Sequence, residues 1–164
     1  MEQKYIYSFS QIEDKVKALH ETNTEAAAAV ALSWLGLSRD ELKTLRVSDY
    51  NSTMRMLHSA GRVVYVREDL IADMLKAICE EAPEYSMGFF ITNVNAAYEA
   101  AEKQELSPIS VLKMRYFYEK HIAKLSGEPE DRVFLKEILR SIGESEADME
   151  KQFAEYENGA PEKI

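Results

Sequence analysis

The chain has 164 residues, 46% hydrophobic and 30% charged, which suits one globular domain with its own core, and no apolar run approaches the ~20 residues that cross a bilayer. The opening residues MEQKYIYSFS lack the charged and apolar regions of a secretory leader, and the single Cys79 can form no internal disulfide, so a reducing cytoplasm is the expected setting. A net charge of −9 argues against generic nucleic-acid binding.

Ser10 with Glu13 matches a capping box and opens an amphipathic helix through QIEDKVKALH. Thr24 is the expected cap of TEAAAAVALSWLGL, a helix apolar nearly all round and therefore central to the core; Gly36 ends it. Ser38 with Glu41 is a second capping box, starting a short helix to about Arg46. TMRML and RVVYV are β-prone runs separated by HSAG, the pattern of a hairpin within residues 52–67. Glu68 and Asp69 open DLIADMLKAICEE, which stops near Pro83; Cys79 on its apolar side reads as a buried structural thiol. Helices follow over 92–104, from Ser107–Pro108 through Leu125, over 130–142 and over 145–157. The expected organisation is one domain over 1–164, mainly α with one small antiparallel hairpin or sheet (α+β). Its ordered core spans 8–156 and its frayed tail 159–164.

Charge is unevenly spread. Residues 36–67 carry Arg39, Lys43, Arg46, Arg55, Arg62 and Arg67 against Asp40, Glu41 and Asp49, a net of +3. Residues 109–124 carry Lys113, Arg115, Lys120 and Lys124 against Glu119, also +3, whereas 128–164 has eleven acidic and five basic groups, a net of −6. At about 100° per residue, Val111, Met114, Tyr118, Ile122 and Leu125 form one stripe of their helix, its expected core side. Arg115 flanks that stripe, and Lys113, Lys120 and Lys124 cluster opposite it. Those lysines suit either a solvated face or contact with backbone phosphates. Arg115 suits either a carboxylate at the core edge or a phosphate. The acidic C-terminal segment is either a solvated face or a shield over a basic surface on the same or another subunit. His20, His58 and His121 lack partners at metal-ligand spacing, so no metal is expected; no Gly-rich phosphate loop, cofactor or small-molecule substrate is indicated either.

The stretch ISVLKMRYFYEKHIAKLSGEPEDRVFLKEILRSIGESEADMEKQF, Ile109 to Phe153, resembles the C-terminal half of a tyrosine recombinase (phage integrase) catalytic domain. There the family pattern is roughly His-x-Leu-Arg-His, then Gly-His, then a tyrosine nine residues later. Gly36, Leu37, Glu41, Leu42, Leu45 and Asp49 fit the family stretch Thr-Gly-Leu-Arg-x-x-Glu-Leu-x-x-Leu-x-x-x-Asp in register. GRVVYVREDL is similar to the exit of the family's three-stranded segment, and NVNAAYEAAEKQELSPISVLKMR to the helix and linker before its second arginine. The resemblance covers about residues 8–156 and implies a recombinase catalytic-domain-like helical fold.

The departures imply a degenerate site. Ser38 stands at the first catalytic arginine, with Arg39 about 100° further round. No lysine lies between Thr44 and Arg67 to match the hairpin lysine, and His58 is the nearest titratable group. Leu112 and Tyr116 replace the two histidines around Arg115, Glu144 replaces the His or Trp, and Phe153 lacks the nucleophilic hydroxyl. Tyr156, one turn on, offers the nearest phenol. Strand exchange needs a tyrosine oxygen and arginines on the phosphoryl oxygens, so no enzymatic activity is expected.

The expected function is therefore a non-catalytic, integrase-like DNA-binding regulator of phage or mobile-element type, a repressor or recombination accessory. Arg115, Lys113, Lys120, Lys124, Arg39, Lys43, Arg55 and Arg62 are its candidate contacts to double-stranded DNA. Few residues precede the first helix, so the N-terminal core-binding domain of the family is expected to be missing and DNA binding to be weak. The alternative is a protein-interaction module that partners or antagonises a recombinase, or binds itself through the C-terminal helix as family members do. An active recombinase is the third reading.

Overall fold

The computed structural model describes residues 8–81 and 88–159, with side chains in the last helix to residue 155. The expected stop at Pro83, the tail residues 160–164 and the Tyr156 side chain lie outside the described residues. Among the described residues the order is α1 (Glu13–Thr22), α2 (Thr24–Trp34), α3 (Arg39–Thr44), β1 (Tyr50–Asn51), β2 (Met56–Ser59) and β3 (Arg62–Tyr65). Then come α4 (Asp69–Glu81), α5 (Val94–Lys103), α6 (Pro108–Ser126), α7 (Arg132–Ile142) and α8 (Glu146–Gly159). The mainly helical fold with a small antiparallel sheet agrees with the sequence pattern.

α2 is the axle. Every residue from Ala26 to Trp34 is buried, and the run of alanines lets α1, α5 and α6 approach it closely. Its cap is Asn23 rather than Thr24: the Ala26 N–H donates to Asn23 Oδ1 at 3.0 Å, and Thr24 is already the first helical residue. The Ser10–Glu13 box also gives way, because Phe9–Gln11 form a 3-10 turn ahead of α1. There the Ser8 N–H donates to Gln11 Oε1 at 2.9 Å, and Glu13 begins α1 instead of standing at its third position. Gly36 does end α2 region's helical path, at φ +96°, and a Cβ there would sit 2.8 Å from Phe134 Cε1 on α7. Only glycine meets both conditions.

The Ser38–Glu41 capping box forms as expected, with Glu41 N–H to Ser38 Oγ at 3.1 Å and Ser38 N–H to Glu41 Oε1 at 3.0 Å. The hairpin pairs Met56 with Tyr65 and Ser59 with Arg62 around Ala60 and Gly61, both at positive φ, the backbone a two-residue hairpin turn requires. β1 adds a third antiparallel strand, Tyr50 opposite Leu57, too short to be read from alternation.

α6 departs most from its helical-wheel reading. Val111 is buried, and Met114 and Tyr118 pack on the main core, but Ile122 and Leu125 are 41% and 71% exposed. Lys120, expected on the outer face, is buried instead, as are Leu112 and Tyr116 off the expected stripe. α7 and α8 fold back over that side and build a second apolar cluster of Leu112, Tyr116, Leu135, Ile138, Leu139 and Met149. A helix covered on two faces has no single apolar stripe to find. Among the described residues, no helix is long and apolar enough to cross a membrane.

Candidate functional site

Two groupings gather the candidate residues, one on each side of α6. The first is a cleft of about 160 Å³ between the edge strand β3 and α6–α7, lined among others by Arg62, Arg67, Arg115, Glu119, Asp131 and Phe134. Arg115 donates to the Trp34 carbonyl at 2.8 Å and to Glu119 Oε1 at 2.8 Å. Its guanidinium also lies 4.8 Å from the Phe134 ring centroid and 5.4 Å from that of Trp34. It thus caps the carbonyl end of α2, where a cation is favoured by the helix dipole.

Arg62 makes the same kind of bond to the Gly36 carbonyl at 3.0 Å and a forked ion pair to Glu41, 2.8 Å to Oε1 and 3.3 Å to Oε2. Ser59 Oγ donates to the same carboxylate at 2.7 Å. Burial alone would raise the Glu41 carboxyl's pKa, but Arg62, the Ser38 amide and the Ser59 hydroxyl outweigh it and hold the group below its ordinary value. Both arginines therefore already have an anion.

The second grouping lies under α8. Lys113 pairs with Glu144 at 2.7 Å, and Lys120 bridges Glu130 at 2.8 Å and Glu150 at 2.5 Å. Lys120 is only 8% exposed, so it is a buried ion-pair centre and not part of an open outer face. Burial opposes its charge, yet the two carboxylates prevail and raise its pKa. Tyr116 donates to Glu150 Oε1 at 3.2 Å; burial, with the Glu150 charge beside it, pushes the phenol up too. Phe153 is buried with its ring 5.9 Å from Phe117 and 5.8 Å from Lys120 Nζ. Lys113 holds the Glu144 carboxyl below its ordinary pKa, and Gln152 also donates to it.

The remaining candidates stand outside both groupings. Ser38 is committed as the cap of α3. Arg39 is exposed, bonded to Asn95 and 4.8 Å over the Tyr98 ring. Arg55 pairs with Asp69 at 2.8 Å, while Lys43 and Lys124 are exposed. His58, on β2 opposite Val63, is exposed and lines an open surface pocket with Asp49, Ser59 and Arg62. Among the described residues, no three His, Cys, Asp or Glu side chains converge to hold a metal ion.

Sequence reasoning overlooked Arg67 as a cleft residue and the exposed row Arg132, Lys136 and Arg140 on α7. The four-residue spacing of that row was visible; the glutamates facing Lys113 and Lys120 carried no local signal.

This architecture, a buried α2 flanked by a small sheet and capped by α6–α8, is a recombinase-like helical fold. It is similar to the crystal structure of XerA recombinase, a tyrosine recombinase, with a TM-score of 0.55 and 13% identity over 97% of this chain. The chain spans 65% of that protein's length. At such identity the likeness is one of fold. The sequence matches no protein-family model, and no curated protein matches it in sequence.

Proposed function

We propose that the protein is a non-catalytic, integrase-like DNA-binding accessory, such as a repressor or recombination factor of a phage or mobile element. The observation that carries the non-catalytic part is the filled site. Leu112 and Tyr116 belong to an apolar cluster, Phe153 is buried without a hydroxyl, and Arg62 and Arg115 each hold a carboxylate and a backbone carbonyl. Phosphoryl transfer needs a free nucleophile and cations aimed at the developing charge. The DNA part is supported by the likeness of fold to a recombinase and by exposed Arg39, Lys43 and Lys124.

Two measurements test this. A nicked duplex is expected to give no denaturant-resistant protein–DNA adduct; an adduct overturns the non-catalytic reading. Fluorescence anisotropy is expected to show duplex binding at low salt that weakens as salt rises, and absence of binding at low salt overturns the DNA reading.

A second reading, a protein-interaction module that partners a recombinase or a second copy, is favoured by one specific observation. Lys113 and Lys120 of α6 are neutralised by the chain's own carboxylates, in a molecule of net charge −9. Co-purification with a cognate integrase, without DNA, distinguishes it.

A further inference from the structure

We infer that the acidic segment from Glu144 through α8 is an autoinhibitory strap, which occupies the α6 lysines and is displaced when a polyanion takes its place. The inference rests on the DNA-binding reading above and adds its regulation.

The geometry is that of an internal competitor. Glu144 and Glu150 put carboxylate oxygens 2.7 and 2.5 Å from Lys113 Nζ and Lys120 Nζ. Phosphate oxygens bind ammonium groups with the same charge-assisted hydrogen bonds. The two lysines lie on one side of α6, seven residues and so nearly two turns apart, and the strap runs across both. Lys120 is shared with Glu130, which precedes α7, so it stays partly neutralised when α8 leaves.

The strap is also lightly attached. Met149 and Phe153 are its buried apolar side chains among those described, whereas α2 buries an unbroken run of nine, Ala26 to Trp34. Gly143, left-handed at φ +75° with open space around its Cα, joins α7 to the strap and supplies a pivot. Gln152 donates to Glu144, so that contact is tied to α8 and moves with it, whereas Tyr116 of α6 donates to Glu150 and is released when α8 leaves. Elements held by few buried contacts are the ones that open locally.

The test compares duplex-DNA affinity of the full chain across a salt series for four proteins. These are wild type, Glu144→Gln/Glu150→Gln, the charge-matched Glu99→Gln/Glu102→Gln on the exposed side of α5, and Lys113→Gln added to the first pair. The strap variant is expected to bind at least about tenfold more tightly than the charge-matched variant. Its log-affinity against log-salt slope should be steeper by about 1 to 2, one phosphate per uncovered lysine. Adding Lys113→Gln should remove about half of that gain. Hydrogen exchange of α8 amides in wild type is expected to quicken when DNA binds. A gain no larger than the charge-matched control, with α8 exchange unchanged by DNA, overturns the strap while wild-type binding leaves the DNA reading standing. No binding by any of the four overturns both. Should the double variant fail to fold, Glu144→Gln alone, in the partly exposed turn before α8, decides on the same criterion.

Discussion

Gly36 shows how much one residue can hold in place. Its left-handed backbone turns the chain from α2 into the Ser38 cap, and its missing side chain admits Phe134 from α7. Gly36→Ala meets both a strained φ and a 2.8 Å contact, so a loss of about 2 kcal/mol or more is expected in urea unfolding. Beside it, Arg62 and Glu41 close the same corner. Glu41's folded pKa lies below its ordinary 4.5, so its contribution is present above that value and lost as pH falls through the folded one. Glu144 adds in the same direction. Unfolding titrations should therefore show stability dropping below about pH 4.5, and Glu41→Gln should be less stable at neutral pH with a flatter acid limb. Phe153 bears on chemistry. Phe153→Tyr restores a phenol, but the ring is buried against Phe117 and Lys120, and Ser38, Leu112 and Glu144 supply no cation for a phosphate, so no covalent adduct with nicked DNA is expected. An adduct would show that the fold needs only a hydroxyl to cut.

At the scale of elements, α6 decides what was legible and what was not. Local rules found it: Pro108 stands at its first turn, as the sequence suggested, and its left-handed end falls on Gly127, two residues past the expected Leu125. Local rules likewise found the Ser38–Glu41 box and the β2–β3 hairpin, because caps and turns are encoded within a few residues. The burial of Lys120 was not legible. Its partners lie ten and thirty residues ahead in sequence, and only the return of α7 and α8 brings them to it. The same holds for Arg115, whose acceptor on α2 is 81 residues away. A wheel drawn on one helix cannot see a second layer. The carboxylates of the Lys120 centre are only half buried: Lys120→Ala should lower stability by about 1 kcal/mol, since Glu130 and Glu150, 35% and 44% exposed, regain water when the ammonium is lost. Lys120→Met with Glu150→Leu should recover most of that loss by extending the apolar cluster. Lys120 and Tyr116 both have raised pKa values, so their contributions are complete below their ordinary 10.5 and 10.0 and fade as pH rises beyond them. Alkaline unfolding should begin at α8, and near-ultraviolet absorbance of tyrosinate should report Tyr116 among the last to ionise.

For the molecule as a whole, charge placement outweighs charge count. Two segments of the sequence are basic by +3 each, yet at least five of the eight candidate cations, Arg55, Arg62, Lys113, Arg115 and Lys120, are ion-paired to carboxylates of this same chain. The fold thus uses most of these positive groups internally, at the carbonyl end of α2 and on the seam between α6 and α8. What remains exposed among the candidates is Arg39, Lys43 and Lys124. A duplex that engaged those three alone would release about 0.9 counterion per phosphate neutralised and give a slope of log affinity against log salt near about −3. The slope follows from which cations reach solvent and not from the total of basic residues. A steeper value means that further cations take part, either the exposed α7 row Arg132, Lys136 and Arg140 or Lys113 and Lys120 uncovered by displacement of the strap.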